Sequence, residues 1–230
     1  KTLKLLTPKK LMVEIIAIDG PASVGKSSIA KKISKYYDSP LLNSGRLYRA
    51  IALKIINKKI DINDKKKIIE ISKLLTYKDI HSNSLFTGEI DKVASKISSR
   101  QYLRDQLVSH QKEFPHKYAK GKKYAVIEGR DIGTEIFPQA KFKFFMWADA
   151  RIRAKRRFQQ IKKNGKIANL SIIYKEIVAR DTKDINRNIA PLRPAVNSVL
   201  LDTSYLDIEQ AFNAIKKIID QVTYETRIRK

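Results

Sequence analysis

Residues 20–27 read Gly-Pro-Ala-Ser-Val-Gly-Lys-Ser, a G-x-x-x-x-G-K-S pattern with no mismatch. That pattern cradles the phosphates of nucleoside triphosphates. Gly20 and Gly25 let the backbone bend around an anion so that amide hydrogens point inward. A helix beginning at Lys26 adds its positive N-terminal end. Lys26 would neutralise the terminal phosphates, and the hydroxyl of Ser27 would sit on Mg²⁺.

Polar residues at predicted strand ends narrow the chemistry. Glu128 closes an apolar strand, where an acid can hold the water shell of Mg²⁺. Arginines carry more weight, because phosphoryl transfer is catalysed mainly by positioning and charge stabilisation. Arg49 follows the Ser44-Gly45 turn by about one helical turn, and Arg130 comes directly after a strand. Arg153 and Arg157 share a helix face, and the spacing of Arg180, Asp184 and Arg187 lets one helix present all three. Arg151 and Arg156 read as solvated charges. Asn57-Lys58-Lys59-Ile60 approaches the guanine-reading N-K-x-D of GTPases, but Ile60 stands where the acid is required. His81, His110 and His116 have no metal-ligand spacing, and cysteine is absent, so a zinc site is not expected.

Alternating elements position these groups. Val13 to Ile18 reads as a buried strand and Ser27 to Tyr37 as a helix. A short strand at 40–43 leads into a helix over 46–56, then a helix over 65–75 with Asn63 or Asp64 as N-cap. Residues 76–90 show no clear period. Helical spacing returns over 91–118, with breaks expected near Ser98-Ser99 and at Pro115. Strands follow at 124–128, 142–147 and 198–202, the middle one expected to be covered on both faces. Helices fill 150–163, 171–186 and 208–222. Such alternation predicts an α/β fold with a five-stranded parallel sheet between two helical layers, and a site beyond the strands' carboxyl ends.

At 230 residues the chain suggests one domain with a small insertion. Residues 1–12 read as a basic extension, with Met12 able to serve as a start position. The phosphate-loop domain is expected over 13–222, and 223–230 as a basic tail. Leu5-Leu6 is too short for a signal peptide. No apolar run reaches the ~18 residues that would span a membrane. The lack of cysteine agrees with a cytoplasmic enzyme. Forty-eight Lys and Arg against 23 acids give a net charge of +25. The lysines are scattered over predicted helix faces, so no specific nucleic-acid partner is expected, although charge alone does not separate an anion-attracting enzyme from a nucleic-acid-binding ATPase.

Four segments together resemble bacterial cytidylate kinases: IAIDGPASVGKSS at 16–28, LLNSGRLYRA at 41–50, EGRDIGT at 128–134 and ARDTKDINRNIAPL at 179–192. The resemblance runs from Ile15 to Val222 and implies a monomeric P-loop nucleoside monophosphate kinase that uses ATP and Mg²⁺ to phosphorylate CMP and dCMP. It implies an ATP cradle of Gly20, Pro21, Ala22, Ser23, Val24, Gly25, Lys26, Ser27 and Ser28, with Ser27 and Glu128 at the metal. Ser44, Arg49, Arg130 and Arg187 resemble the clamp on the acceptor phosphate. Arg180 and Asp184 resemble ribose contacts with Tyr48 beside them, and Ser95, Arg104 and Asp131 the cytosine-reading set. Arg153 and Arg157 would lie on a helical lid over about 150–188, the catalytic cations thus being Lys26, Arg130, Arg153, Arg157 and Arg187. Two departures stand out: Asn43 replaces the usual aspartate, and the insertion over about 58–99 is shortened between Thr76 and Ser95, where the family carries a small sheet.

Overall fold

The computed structural model describes residues 13–228, so the extension expected at 1–12 lies outside the described residues. The strands are β1 Glu14–Asp19, β2 Leu41–Asn43, β3 Tyr124–Glu128, β4 Phe142–Trp147 and β5 Val199–Asp202. The helices are α1 Lys26–Tyr36, α2 Ser44–Asn57, α3 Lys65–Lys73, α4 Tyr77–His81, α5 Gly88–Ile97, α6 Gln101–Tyr118, α7 Ala150–Lys163, α8 Leu170–Asn186 and α9 Ile208–Ile228. All strand pairs are parallel, in the order β2-β3-β1-β4-β5.

Strand alternation divides the core into two layers. Ile16, Ile18, Val126, Phe142 and Phe144 pack on Ile29 and Ile33 of α1 and Ile215 and Ile219 of α9. Ala17, Leu42 and Ile127 face Leu47 and Ile51 of α2, Ile68 of α3, Ile97 of α5 and Leu103 and Leu107 of α6. A smaller third cluster, Ala154, Ile173 and Ile177, joins α7 to α8. Glu128 pairs with Ile18 on one side and Asn43 on the other, so three strand ends finish level. The chain then leaves β1 for one face of the sheet and β2 for the other, which opens a crevice at those ends.

Local departures from the sequence expectation have physical causes. Residues 76–90 are not irregular: α4 is closed by a capping box between Thr76 and Asp79, and a 3₁₀ turn over Asn83–Leu85 buries Leu85. Helix α5 starts at Gly88 behind a Thr87 cap, and no strand lies between β2 and β3 among the described residues. The break expected at Pro115 does not occur; α6 runs through it with Phe114 and Pro115 buried, the loss of one amide donor being offset by packing. Trp147, at the end of β4, is half exposed rather than covered. Helix α9 continues past 222 to Ile228, tied to the sheet by Tyr124–Thr223 at 2.8 Å and by Lys141 donating to Thr226 at 3.2 Å. No helix among the described residues is long and apolar enough to cross a membrane.

Asp19 anchors the segment that carries the site. Its buried carboxylate accepts the amides of Ile132 at 2.9 Å and Gly133 at 2.7 Å, fixing the turn that follows Arg130 and Asp131. Burial pushes this carboxyl up from 3.8 to about 6, against the opposing pull of the two amides. The folded state therefore binds more proton than the unfolded chain between those values, so this group makes stability fall as pH rises through that window. Asp19→Asn should gain stability relative to the parent between about pH 4 and about pH 7, compared by denaturant midpoints. A difference that does not change with pH would contradict the placement.

Candidate active site

The phosphate loop is held open by close approach to β4. Gly20 has φ +145°, and a Cβ there would sit 2.2 Å from the Met146 carbonyl oxygen, so no other residue fits. Gly25, at φ +102°, precedes α1 without a side-chain cap, and no acid lies in the first turn. The helix thus presents free amides and positive potential to an anion. Lys26 is buried and turns its ammonium back onto the loop, donating to the carbonyls of Gly20 at 2.7 Å and Pro21 at 2.6 Å. Burial, then the charge of Arg130, holds its pKa well below the usual lysine range.

Beside the loop, the Ser27 hydroxyl donates to Glu128 Oε2 at 3.0 Å and Asn43 Nδ2 donates to Oε1 at 2.5 Å. Asn43 Nδ2 also lies 3.3 Å from Ser27 Oγ, while its own oxygen caps α2 through the Arg46 amide at 3.2 Å. Burial raises the Glu128 pKa, opposed by Lys26. A hydroxyl and one carboxylate are hard oxygen donors of the kind Mg²⁺ takes when water and phosphate complete its shell. No group of three or more metal-ligating side chains occurs among the described residues.

Arg49, Arg130, Arg180 and Arg187 line the same cleft as the loop. Arg130 Nε donates to Asp184 Oδ2 at 3.1 Å, and Arg187 Nη1 lies 3.8 Å from Asp184 Oδ1. Arg187 Nε donates to the Ala190 carbonyl at 2.6 Å, while its Nη2 is buried without a hydrogen-bond partner. Burial, reinforced by Arg130, lowers the Arg180 pKa to about 10. Although burial acts the other way, Arg130, Arg180 and Arg187 hold the Asp184 carboxyl below its usual range. Ser44 is buried behind Gly129, where a Cβ would come 2.5 Å from Ser44 Oγ. Burial pushes the Tyr48 phenol up to about 12.

Deeper in the cleft, Arg104 and Asp131 form a buried ion pair, and Arg104 Nη1 donates to the Ser98 carbonyl at 3.1 Å. Ser95 also lines the cleft and accepts from Lys183 of α8 through its carbonyl at 2.7 Å. The whole cleft measures about 1560 Å³, larger than the ~300–1,000 Å³ typical of a site for one small ligand. It has room for two.

The two arginines expected on the lid part company. Arg157 lines the cleft and donates to Gln160 at 3.0 Å. Arg153, expected beside it, does not line the cleft; it is only 1% exposed and serves as a strut. It donates to the carbonyls of Ala148 at 2.8 Å and Ala22 at 3.0 Å, and pairs with Asp181 at 2.6 Å. Asp181 in turn accepts the Ala22 amide at 3.4 Å, so one ion pair grips both polar groups of a loop residue. Arg156 is not a solvated charge either: it lines the cleft and donates to the carbonyls of Thr203 at 2.5 Å, Leu206 at 3.2 Å and Ser204 at 3.3 Å, pinning the turn after β5. The sequence reading passed over Asp19, Asp181, Arg156 and Asp91, a carboxylate bonded to Arg49. Asp181 lies inside the 179–192 segment, so its neighbours were the available signal.

Arg153→Met should remove about 3–5 kcal/mol of stability, because it leaves a buried carboxylate without its partner. Arg157→Met should change stability by less than about 0.5 kcal/mol. Urea unfolding of the two variants checks this, and equal shifts would contradict the strut.

The cytidylate kinase family model matches residues 16–221. The cytidylate kinase of Bartonella tribocorum (strain CIP 105476 / IBS 506) is 39% identical over 208 residues, 90% of this chain and 95% of its own length. That of Rhodopseudomonas palustris (strain ATCC BAA-98 / CGA009) is 38% identical over 208 residues, covering 90% of this chain and 96% of its own length. An uncharacterized protein from Eubacterium ventriosum ATCC 27560 superposes over 91% of this chain and 99% of its own with a TM-score of 0.52 at 15% identity, a likeness of fold alone. The matched span takes in the phosphate loop, the Glu128–Asp131 strand end, Arg180 of α8 and Arg187, which caps that helix in an extended conformation rather than sharing its face, and the chain belongs to the cytidylate kinase family.

Proposed function

We propose that the chain transfers the terminal phosphoryl group of ATP to CMP, and to dCMP, giving the diphosphate. The observation that carries this reading is a single cleft joining an open phosphate loop to an arginine cluster and a buried Arg104–Asp131 pair. One end suits a triphosphate, the other an anion attached to a polar ring.

Roles follow from the chemistry of each group. The amides of the loop and the N-terminal end of α1 receive the ATP phosphates, and Lys26 exchanges its two carbonyl partners for phosphate oxygens. Ser27 and Glu128 would hold Mg²⁺, with Asn43 orienting the carboxylate. When bound, Mg²⁺ neutralises charge on the phosphate oxygens. Ser44, Arg49, Arg130 and Arg187 hold the acceptor phosphate; the unpartnered Nη2 of Arg187 is a donor in want of such an oxygen. Arg180 and Asp184 meet the ribose with Tyr48 beside them. An acceptor phosphate oxygen bonds to the γ-phosphorus, and the bond to the β–γ bridging oxygen breaks, that oxygen leaving with the electron pair as part of ADP. Arg157, on the lid, faces the same space and adds positive charge while closure excludes water.

Base choice falls to Arg104 and Asp131, with Ser95 nearby. Cytosine offers an amino donor to Asp131 and a ring-nitrogen acceptor to Arg104. Uracil reverses both polarities and would leave buried charges facing like groups. A site built for one hydrogen-bond pattern can reject the other by as much as about 10⁴-fold.

Two outcomes are expected. Lys26→Ala should stay folded and lose on the order of 10³-fold in turnover of ATP with CMP; near-parental rates would remove Lys26 from the chemistry. The parent should prefer CMP to UMP in kcat/KM, and Arg104→Met should narrow the ratio mainly by losing CMP activity. Steady-state kinetics with a panel of monophosphates, on protein checked for folding by circular dichroism, decides it. Equal use of both acceptors by the parent overturns the base reading.

A further inference from the structure

Arg49 does not hang free in the cleft. Its Nε donates to Asp91 Oδ1 at 2.8 Å, and its Nη2 lies 2.6 Å from the same oxygen. The guanidinium also lies over the ring of Phe86, 5.0 Å from its centroid. Arg46 also lies over the Phe86 ring, 4.9 Å from its centroid, and itself donates to the carbonyls of Ile80 and Ser82. Phe86, just before the Thr87 cap, and Asp91, in the first turn of α5, lie five residues apart, so one short stretch of chain grips Arg49 along an edge and over a face. The remaining nitrogen, Nη1, is beside Gly45 in the first turn of α2, where an added Cβ would sit 3.9 Å from it.

We propose that Asp91 is a positioning residue for the acceptor phosphate, holding Arg49 by Nε and Nη2 so that Nη1 stays at the Ser44–Gly45 turn. The inference rests on the acceptor site proposed above. Two features argue for positioning over obstruction. The carboxylate uses the edge of the guanidinium away from Gly45, so an anion at the helix start meets a donor that is already placed. A long side chain fixed in advance loses less rotamer freedom on binding than a free one. In the same cleft Asp184 serves Arg130 and Arg187, and Asp131 serves Arg104. Asp91 fills that place for Arg49.

A double-mutant cycle tests the coupling. Asp91→Ala should raise KM for CMP about tenfold, leaving kcat and KM for ATP within about twofold. Asp91→Asn keeps an acceptor oxygen for Nε and should fall between the variant and the parent. In an Arg49→Ala background, Asp91→Ala should add nothing. A lower KM for CMP in Asp91→Ala would show the carboxylate competing with the phosphate, and an equal loss in both backgrounds would show a merely structural role; either overturns the proposal. The same cycle is read by calorimetric binding of CMP, which needs no turnover. A parent that binds CMP without phosphorylating it defeats the activity reading and leaves the cycle decisive, whereas a parent that does not bind CMP overturns both.

Discussion

Lys26, Arg49, Arg130, Arg180 and Arg187 meet in one cleft at the carboxyl ends of the strands, and like charges gathered in a partly buried space repel one another. Their pKa values register the strain: burial and neighbouring arginines lower Lys26, Arg180 and Arg187 together. Nothing about five cations favours their company unless an anion is present. The fold keeps them together by spending rigid structure on each. Level strand ends deliver Glu128 and Arg130, helix α8 delivers Arg180 and Asp184, and backbone carbonyls take up Lys26 and Arg187. A site assembled this way is electrostatically incomplete by itself and draws anions to it. The overall charge of +25 extends the same attraction into solvent.

That incompleteness also explains the acids. Asp184, Asp131 and Asp91 do not neutralise the cleft; each is bonded to an arginine, and Asp184 to two within 4 Å. They fix direction more than they cancel charge. A bonded guanidinium has a defined plane and a defined free edge, which is what recognition of a tetrahedral anion requires.

Much of this could be read from residue order. The phosphate loop declared itself by spacing and by its flanking strand and helix, and the alternation of apolar segments led to the parallel sheet. Asp64 as the cap of α3 and Glu128 beside Ser27 were both legible, because each depends on residues close in sequence or on a strand end. What escaped has a common cause. Asp181 meets Ala22 across 159 positions, and Arg156 meets Thr203 across 47, so neither partner is visible until the chain has folded. Arg153 and Arg157 shared a helix face in the sequence, yet one is swallowed by the loop contact and the other is not, since periodicity assigns a side but not a depth. The capping box of α4 was within reach, the Thr76-x-x-Asp79 spacing being its signal, but the polar composition around it masked the helix.

Helices α7 and α8 carry an apolar seam of their own, Ala154, Ile173 and Ile177, separate from both layers of the main core. A pair of helices with a private seam coheres as a unit of its own. Its attachment to the loop is the Arg153–Asp181 pair, with one member on each helix and both bonded to Ala22. That pair therefore ties three elements together. The two helices therefore cannot shift against one another without disturbing the backbone of the phosphate loop, because the side chains that join them also hold both polar groups of Ala22.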